Sequence, residues 1–399
     1  MVDAATRPTV RHGFGFLWTA QAISDIGSQV GALALPLVGV VVLHTTTFQT
    51  SLITACAALG TAIFALPAGA WVDRRAKRPV MIAADLVRLV LVASVPAAWL
   101  FGVLTVAQLC VVTAVNTLLE VVFASASQAF LKKVVGKDDL LQANGKLHGT
   151  LWLANLLGPA IGGVVVGLVG AALTVLVDAA SFLCSAFILL LVRKVDDSAR
   201  PARSSGGVKE GVAFLARHRS LRRLLASYAL MSWTIVLLSP IQTLFLIREL
   251  RVTSAQYGLA VAIPCVGGLV GAFFARRIAE RLGMLSTMRW SGLLRGPWVL
   301  LVPLAWPGWS GLAVAIAGWC GLLTAASIYN ATQTTYRQLH TPDRLMGRVT
   351  ASWSMVVRCG QPVAALAGGG LATVIGLRPT LVVGAIILSA AGLLLPTKD

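Results

Sequence analysis

Ionisable side chains set inside long apolar runs are the residues of this chain most able to do chemistry. A charge at mid-membrane depth costs about 3 kcal/mol or more, so each one needs a reason to be there. Asp25 lies in such a run, one turn after Gln21 and one turn before Gln29, which puts three polar side chains in a stripe on one helix face. Glu120 follows Asn116 by one turn in another run. Asp85 and Arg88 stand one turn apart, Asp178 sits in the stretch "VDAASFL", and Arg295 and Arg358 interrupt later runs. Carboxyls held this way suit binding of a proton or an organic cation, or a structural ion pair for which Arg358 is one available partner. Bond-breaking chemistry finds no support. The chain has no G-x-x-x-x-G-K-S/T nucleotide loop, and its five histidines and six cysteines are scattered without metal-ligand spacing. No catalytic residue, metal ligand or cofactor is assigned.

The elements that carry these residues follow from composition. Of 399 residues 57% are hydrophobic and only 12% charged, with a mean hydropathy of +0.82. A soluble domain carries about 25% charged residues. Apolar runs of about 20 residues, the length that crosses a bilayer, recur from end to end. They predict twelve helices, over 14–43, 49–72, 80–101, 105–130, 141–168 and 171–192, then 221–247, 255–276, 286–306, 309–335, 343–374 and 378–396. The net charge of +18 raises nucleic acid as a partner, but the bases fall in short blocks between apolar runs. Of 33 Lys and Arg, Arg248, Arg251 and Arg378 fall in loops assigned outside and Arg358 lies at mid-membrane depth, leaving 33 − 4 = 29 on the inside. That asymmetry predicts both termini in the cytoplasm of a cell inner membrane, with no nucleic-acid role.

A polar segment divides the chain into a six-helix half over 1–192, a cytoplasmic linker over 193–220 and a second half over 221–399. The linker's end, "VKEGVAFLARHRSLRRL", spaces Val212, Leu215 and Arg219 as a basic amphipathic helix expected to lie on the inner membrane face. The halves repeat. "GAWVDRRAKRP", beginning at Gly69, is echoed by "GAFFARRIAERLG" at Gly271, an offset of 271 − 69 = 202. The echo keeps the arginines but puts Ala275 where Asp73 stood. "KDDLLQANGKL" and "TPDRLMGRVTA" match at an offset of 343 − 139 = 204, and Pro362 follows Pro159 by 362 − 159 = 203.

With these motifs the chain resembles the major facilitator superfamily along essentially its whole length. "GAWVDRRAKRP" is similar to that superfamily's loop signature G-x-x-x-D-R-x-x-K/R-R, supplying Gly69, Asp73, Arg74 and Arg78. "LGPAIGG", with Gly158, Pro159, Gly162 and Gly163 and with Gly145 upstream, resembles its antiporter signature, although Ala154 stands where glycine is expected. "FLWTAQAISDIGSQVGALALPL", "KEGVAFLARHRSLRRL" and "HTPDRLMGRV" resemble the macrolide-efflux and siderophore-export branch of drug:proton antiporters. The resemblance implies an all-α membrane protein of twelve transmembrane helices, in two pseudo-symmetric six-helix halves around a central cavity. It implies a conformational gate at Gly69, Asp73, Arg74 and Arg78, with Asp73 capping a helix that Thr341 and Pro342 can start. The bases Arg74, Lys77 and Arg78 can also meet anionic lipid. A hinge and leak-control role falls to the helix 5 glycines and Pro159.

In this superfamily helices 1 and 4 face the cavity, so Asp25 and Glu120 are the candidate proton-coupling or substrate-cation sites. Gln21, Asn116, Trp233, Gln242, Tyr329, Asn330, Gln333 and Arg358 are candidate lining. Asp178 reads as structural, Asp85 and Arg88 as braces for the loop signature, and Arg295 as a side chain snorkelling to the inside surface. The expected activity is proton-coupled export of amphipathic drugs or toxic small molecules by alternating access, in a monomer. Export of one dedicated metabolite, such as a siderophore or antibiotic, is the alternative, and a non-transporting membrane sensor or scaffold a remote one.

Overall fold

The computed structural model of the chain describes residues 7–73, 75–135, 140–192, 208–342 and 345–395. Among the described residues every regular element is helical. The first six are α1 (Arg7–Leu37), α2 (Thr47–Asp73), α3 (Lys77–Leu100), α4 (Val106–Val134), α5 (Leu140–Val169) and α6 (Ala171–Leu191). A short α7 (Val208–Arg217) leads into α8 (Arg219–Leu244), α9 (Ser254–Ala262), α10 (Pro264–Leu282) and α11 (Met284–Leu300). The last three are α12 (Trp309–Leu339), α13 (Met346–Ile375) and α14 (Leu377–Leu393). The expected spans correspond to α1 to α6, α8, the α9–α10 pair and α11 to α14. Eight spans among the described residues are long and apolar enough to cross a membrane, and α14 is a shorter apolar helix. The chain is a multi-pass membrane protein.

Two boundaries differ from expectation, each at a proline. The span expected at 255–276 is broken between α9 and α10, because Pro264 has no backbone N–H to continue the ladder. Helix α10 then runs to Leu282, so Arg277 and Arg281 ride on a helix rather than in a loop. Helix α11 ends at Leu300, and the chain tightens into a single turn at Val302–Leu304 around Pro303.

The chain folds as two compact units, residues 1–45 with 56–203 and residues 46–55 with 204–399. The first turns of α2 thus belong to the second unit, where Gly369 of α13 packs on Ser51. Each unit follows one packing plan. In the first, α6 packs on α1 and α3, α5 on α1, and α4 on α3; in the second, α14 packs on α8 and α11, α13 on α8, and α12 on α11. Lipid gives apolar helices no reason to associate, so close approach at small residues does that work. Gly60 of α2 lies against the Ala114 carbonyl of α4, and Gly271 of α10 against the Thr324 carbonyl of α12. Thr117 donates to the Ala57 carbonyl at 3.0 Å, and Thr324 to the Gly267 carbonyl at 2.9 Å.

The duplication is sharpest at the ends of α1 and α8. Both wind into a wider π turn, Val38–Val42 and Phe245–Glu249, followed by a non-glycine residue in the left-handed region, His44 and Arg251. Thr46 with Gln49, and Thr253 with Gln256, then close reciprocal capping boxes at the next helix, at an offset of 253 − 46 = 207. Gly170 and Gly376 open α6 and α14 at φ 84° and 89°, where a side chain would be strained.

Helix α7 corrects one expectation. Its Leu215 is buried, Gly211 lies directly on the Arg348 carbonyl of α13, and Glu210 pairs with Arg348. The amphipathic helix therefore docks its apolar side on protein, while Val212 stays exposed. The rest of the linker, 193–207, lies outside the described residues.

Candidate functional site

The centre of the first unit is a guanidinium. Arg88 of α3 is buried, and its Nε donates to Asn116 Oδ1 of α4 at 2.9 Å. Its Nη2 donates to Ser28 Oγ of α1 at 3.2 Å, and that hydroxyl donates to Asp178 Oδ1 of α6 at 3.2 Å. The face of the guanidinium lies 3.9 Å from the Phe182 ring centroid, a cation–π contact that needs no second charge. One side chain therefore ties together four helices.

Carboxyls surround this base. Asp25 is in electrostatic reach of Glu120 and Arg88, and Asp85 in reach of Arg88 and Asp178. Asp85 is fully buried, Asp178 is 1% exposed, Asp25 is half-buried and Glu120 is exposed. Asp25 Oδ2 is buried without a hydrogen-bond partner, and the buried Asp85 carboxyl faces the Ser185 hydroxyl of α6. Gln21, in the same stripe as Asp25, accepts from Ser127 Oγ of α4 at 2.8 Å. Asp25 and Glu120 are thus brought together, and Arg88 is the cation beside Asp25 within its unit. Arg88, expected as a brace for the loop signature, instead reaches across to α1, α4 and α6.

Two glycines make the cluster possible. Gly27 and Gly31 of α1 face α6, where a Cβ at the first would overlap Ser181 and at the second the Asp178 carboxyl. Gly31→Ala is expected to lower stability by about 1–3 kcal/mol, the usual range for overpacking. Gly167→Ala, where a Cβ meets nothing, serves as the silent control. Thermal unfolding of the purified variants measures both.

Other candidates lie in helix contacts. Gly158 and Gly162 seat α5 on α1 over Gln29 and Val30, with Pro159 and Gly163 buried beside them. Lys77, expected at the lipid surface, is buried and donates to the Val72 and Arg75 carbonyls at 2.9 and 2.6 Å. Arg78 donates to the Leu189 and Leu190 carbonyls at 2.8 and 2.7 Å, closing the C-terminal end of α6 where a cation is favoured. Gly69 and Asp73 fall on α2 and Gly145 on α5; Arg74, and the side chains of the other three, lie outside what is described.

The second unit holds the counterpart of Arg88. Arg295 of α11 stands at an offset of 295 − 88 = 207 and is buried, 4% exposed, so it does not snorkel as expected. Its Nη1 meets Met231 Sδ at 3.1 Å, its Nη2 donates to the Ala326 carbonyl at 3.3 Å, and its plane lies 4.6 Å from the Tyr329 ring centroid. No acid pairs with it among the described residues. Where α1 and α6 bring Gly31 against Asp178, α8 and α14 bring Leu238 against Gly384, so the small residue has changed sides and the acid is gone.

Tyr329, expected as cavity lining, has no exposed surface; its hydroxyl meets Ser227 Oγ at 3.2 Å. It stacks on Tyr228, which in turn touches Trp353, and Arg337 lies over the Trp353 ring. Trp233 donates to the Val357 carbonyl at 2.8 Å, and Gln333 is buried with Oε1 unpartnered. Gln242 and Arg358 are half-buried and Asn330 is exposed. Sequence reasoning missed Ser28, Tyr228 and Trp353, and it misplaced Arg88. For Ser28 the signal was its place one turn after Asp25.

Known proteins share this fold and length. A bacterial homologue of the iron transporter ferroportin superposes with a TM-score of 0.79 at 16% identity, covering 96% of this chain and 97% of that one. The nucleoside transporter NupG superposes at 0.80 and 10% identity, covering 96% and 98%. The multidrug efflux pump Tap of Mycobacterium tuberculosis is 26% identical over 374 residues, 86% of this chain and 84% of its own. The enterobactin exporter EntS of Salmonella typhimurium is 23% identical over 244 residues, 60% and 56% of the two chains. The profile of the transmembrane secretion effector family matches residues 4–398. A fold shared with major facilitator transporters and a match over almost every residue agree: the chain is a membrane transporter, not an enzyme, and belongs to the transmembrane secretion effector family of the major facilitator superfamily.

Proposed function

We propose that this transporter exports amphipathic drugs or toxic small molecules in exchange for protons, by alternating access, from an inner membrane with both termini in the cytoplasm. The observation that carries the reading is the Arg88 cluster. Asp25, Asp85, Asp178 and Glu120 offer more negative charge at membrane depth than one guanidinium neutralises, and protons are the simplest complement. Asp25 and Glu120 take the coupling role, because Asp25 keeps an unpartnered oxygen and Glu120 is exposed. The likeness to Tap favours a broad range of substrates, and the likeness to EntS favours the second reading, export of one dedicated metabolite. The distribution of bases supports the orientation, with the gate at Gly69, Asp73, Arg74 and Arg78 on the cytoplasmic side. Anionic inner-leaflet lipid has the exposed Arg75 to meet there.

The test is uptake into inverted vesicles, with a panel of lipophilic cations, macrolides and siderophores. Accumulation is expected only under an imposed pH gradient and is expected to collapse with a protonophore. Flux indifferent to the gradient overturns proton coupling. Activity confined to one compound selects the dedicated reading, and no flux of any compound favours the sensor.

A further inference from the structure

The second unit carries a groove of about 650 Å³ over α10, α11 and α12, walled almost wholly by apolar side chains. Leu282 and Thr287 form its end at the α10–α11 turn, Trp290 and Trp298 stand along it, and Ala317 and Gly321 lie beneath. Trp298 packs flat on Gly321, where any Cβ would collide with the ring, so this wall is built rather than incidental. Trp290 and Trp298 are 60% and 40% exposed, and neighbouring Phe273 is 70% exposed. In a membrane-spanning helix such a face meets hydrocarbon.

The groove is not chemically uniform along its length. Arg277, Arg281 and Arg289 stand within about two turns of the α10–α11 connection, each next in sequence to a lining residue, and none is ion-paired among the described residues, since Glu280 is taken by Arg276. Arg277 rests over Phe273, which holds its stem along the apolar face. A long apolar slot with unpaired guanidiniums at one end is complementary to a molecule with an acyl chain and an anionic head. We infer that this groove binds one glycerophospholipid with an anionic headgroup, an acyl chain lying between Trp290 and Trp298 and the phosphate at Arg281 and Arg289. The site is independent of the export reading, since it faces lipid and uses no residue of the Arg88 cluster.

The test uses the purified full-length chain in detergent, titrated with phosphatidylglycerol or phosphatidylcholine carrying brominated acyl chains, with tryptophan quenching as readout. Brominated phosphatidylglycerol is expected to quench saturably and to bind about tenfold more tightly than phosphatidylcholine, the order that two guanidiniums near a headgroup supply. Trp290→Phe with Trp298→Phe removes the saturable component. Ala317→Phe fills the floor and weakens both lipids, while Arg281→Gln with Arg289→Gln weakens phosphatidylglycerol more than phosphatidylcholine and so erases the preference. Raising salt on the unaltered protein narrows the preference as well, a check that needs no variant to fold. Equal affinity for the two lipids, or a preference that ignores salt, overturns the headgroup assignment. Quenching unchanged in the paired tryptophan variant overturns the placement. Protection of both tryptophans by self-association, read by light scattering, assigns the groove to a second copy of the chain and overturns the lipid.

Discussion

Arg88→Met is expected to unfold the first unit more readily than any other single change in it, and to abolish transport. The guanidinium joins α3 to Asn116 of α4 and, through Ser28 of α1, to Asp178 of α6. Without it Asp178 is left 1% exposed with a serine for company and other carboxyls in reach. Removing one partner of a buried charge pair typically costs about 3–5 kcal/mol, because the remaining charge has lost both water and counter-ion. Methionine keeps most of the volume over Phe182, so the loss is electrostatic rather than a cavity. Adding Asp178→Asn should then restore more than half of the lost stability, since an amide bears no charge and can still meet Ser28. Transport should stay absent in the double variant, because the network that joins the helices is not rebuilt. Equilibrium unfolding in mixed micelles, run as a double-mutant cycle, gives the coupling energy. A single variant as stable as the unaltered protein would sink the claim that Arg88 is the hub.

Why this hub escaped a reading of residues is a matter of direction. The cost of charge in hydrocarbon drew notice to Asp25 and Glu120, and the structure brings those two into reach of each other. Arg88 differs from these, because a long basic side chain near a helix end can turn either to the surface or inward, and spacing does not decide which. Arg295 posed the same ambiguity, and it too points inward. Helix α7 failed for a related reason: an apolar stripe looks the same whether lipid or α13 covers it. Helix number, length and the duplication were legible because bilayer thickness and repeated polar breaks leave a direct trace. The closest part of that duplication, "LHTTTFQ" at Leu43 against "LRVTSAQ" at Leu250, carries little charge and stands out less than the basic loops. Its capping threonines and glutamines were in plain view.

Asp25→Asn is expected to leave substrate exchange running while ending gradient-driven accumulation. A one-unit pH gradient supports about tenfold accumulation for each coupled proton, the same free energy as one unit of pKa. An asparagine has nothing to release, so accumulation in inverted vesicles should fall to the level set by passive equilibration. Counterflow, in which labelled substrate enters against unlabelled substrate without a net proton, needs only that the two conformations interconvert with substrate bound. It should therefore persist. The amide suits the site sterically, because Asp25 Oδ2 has no partner to lose and Gln21 beside it is held by Ser127. Glu120→Gln should act in the same direction but less completely, since Glu120 is exposed whereas Asp25 is half-buried within reach of Arg88. The two roles open to Asp25 separate here. If it carries the proton, counterflow survives and accumulation dies; if it recognises a substrate cation, both fail together and neutral substrates are spared. Accumulation undiminished in both variants would remove Asp25 and Glu120 from the coupling path, and would leave Asp85, fully buried within reach of Arg88 and facing Ser185, as the carboxyl to examine next.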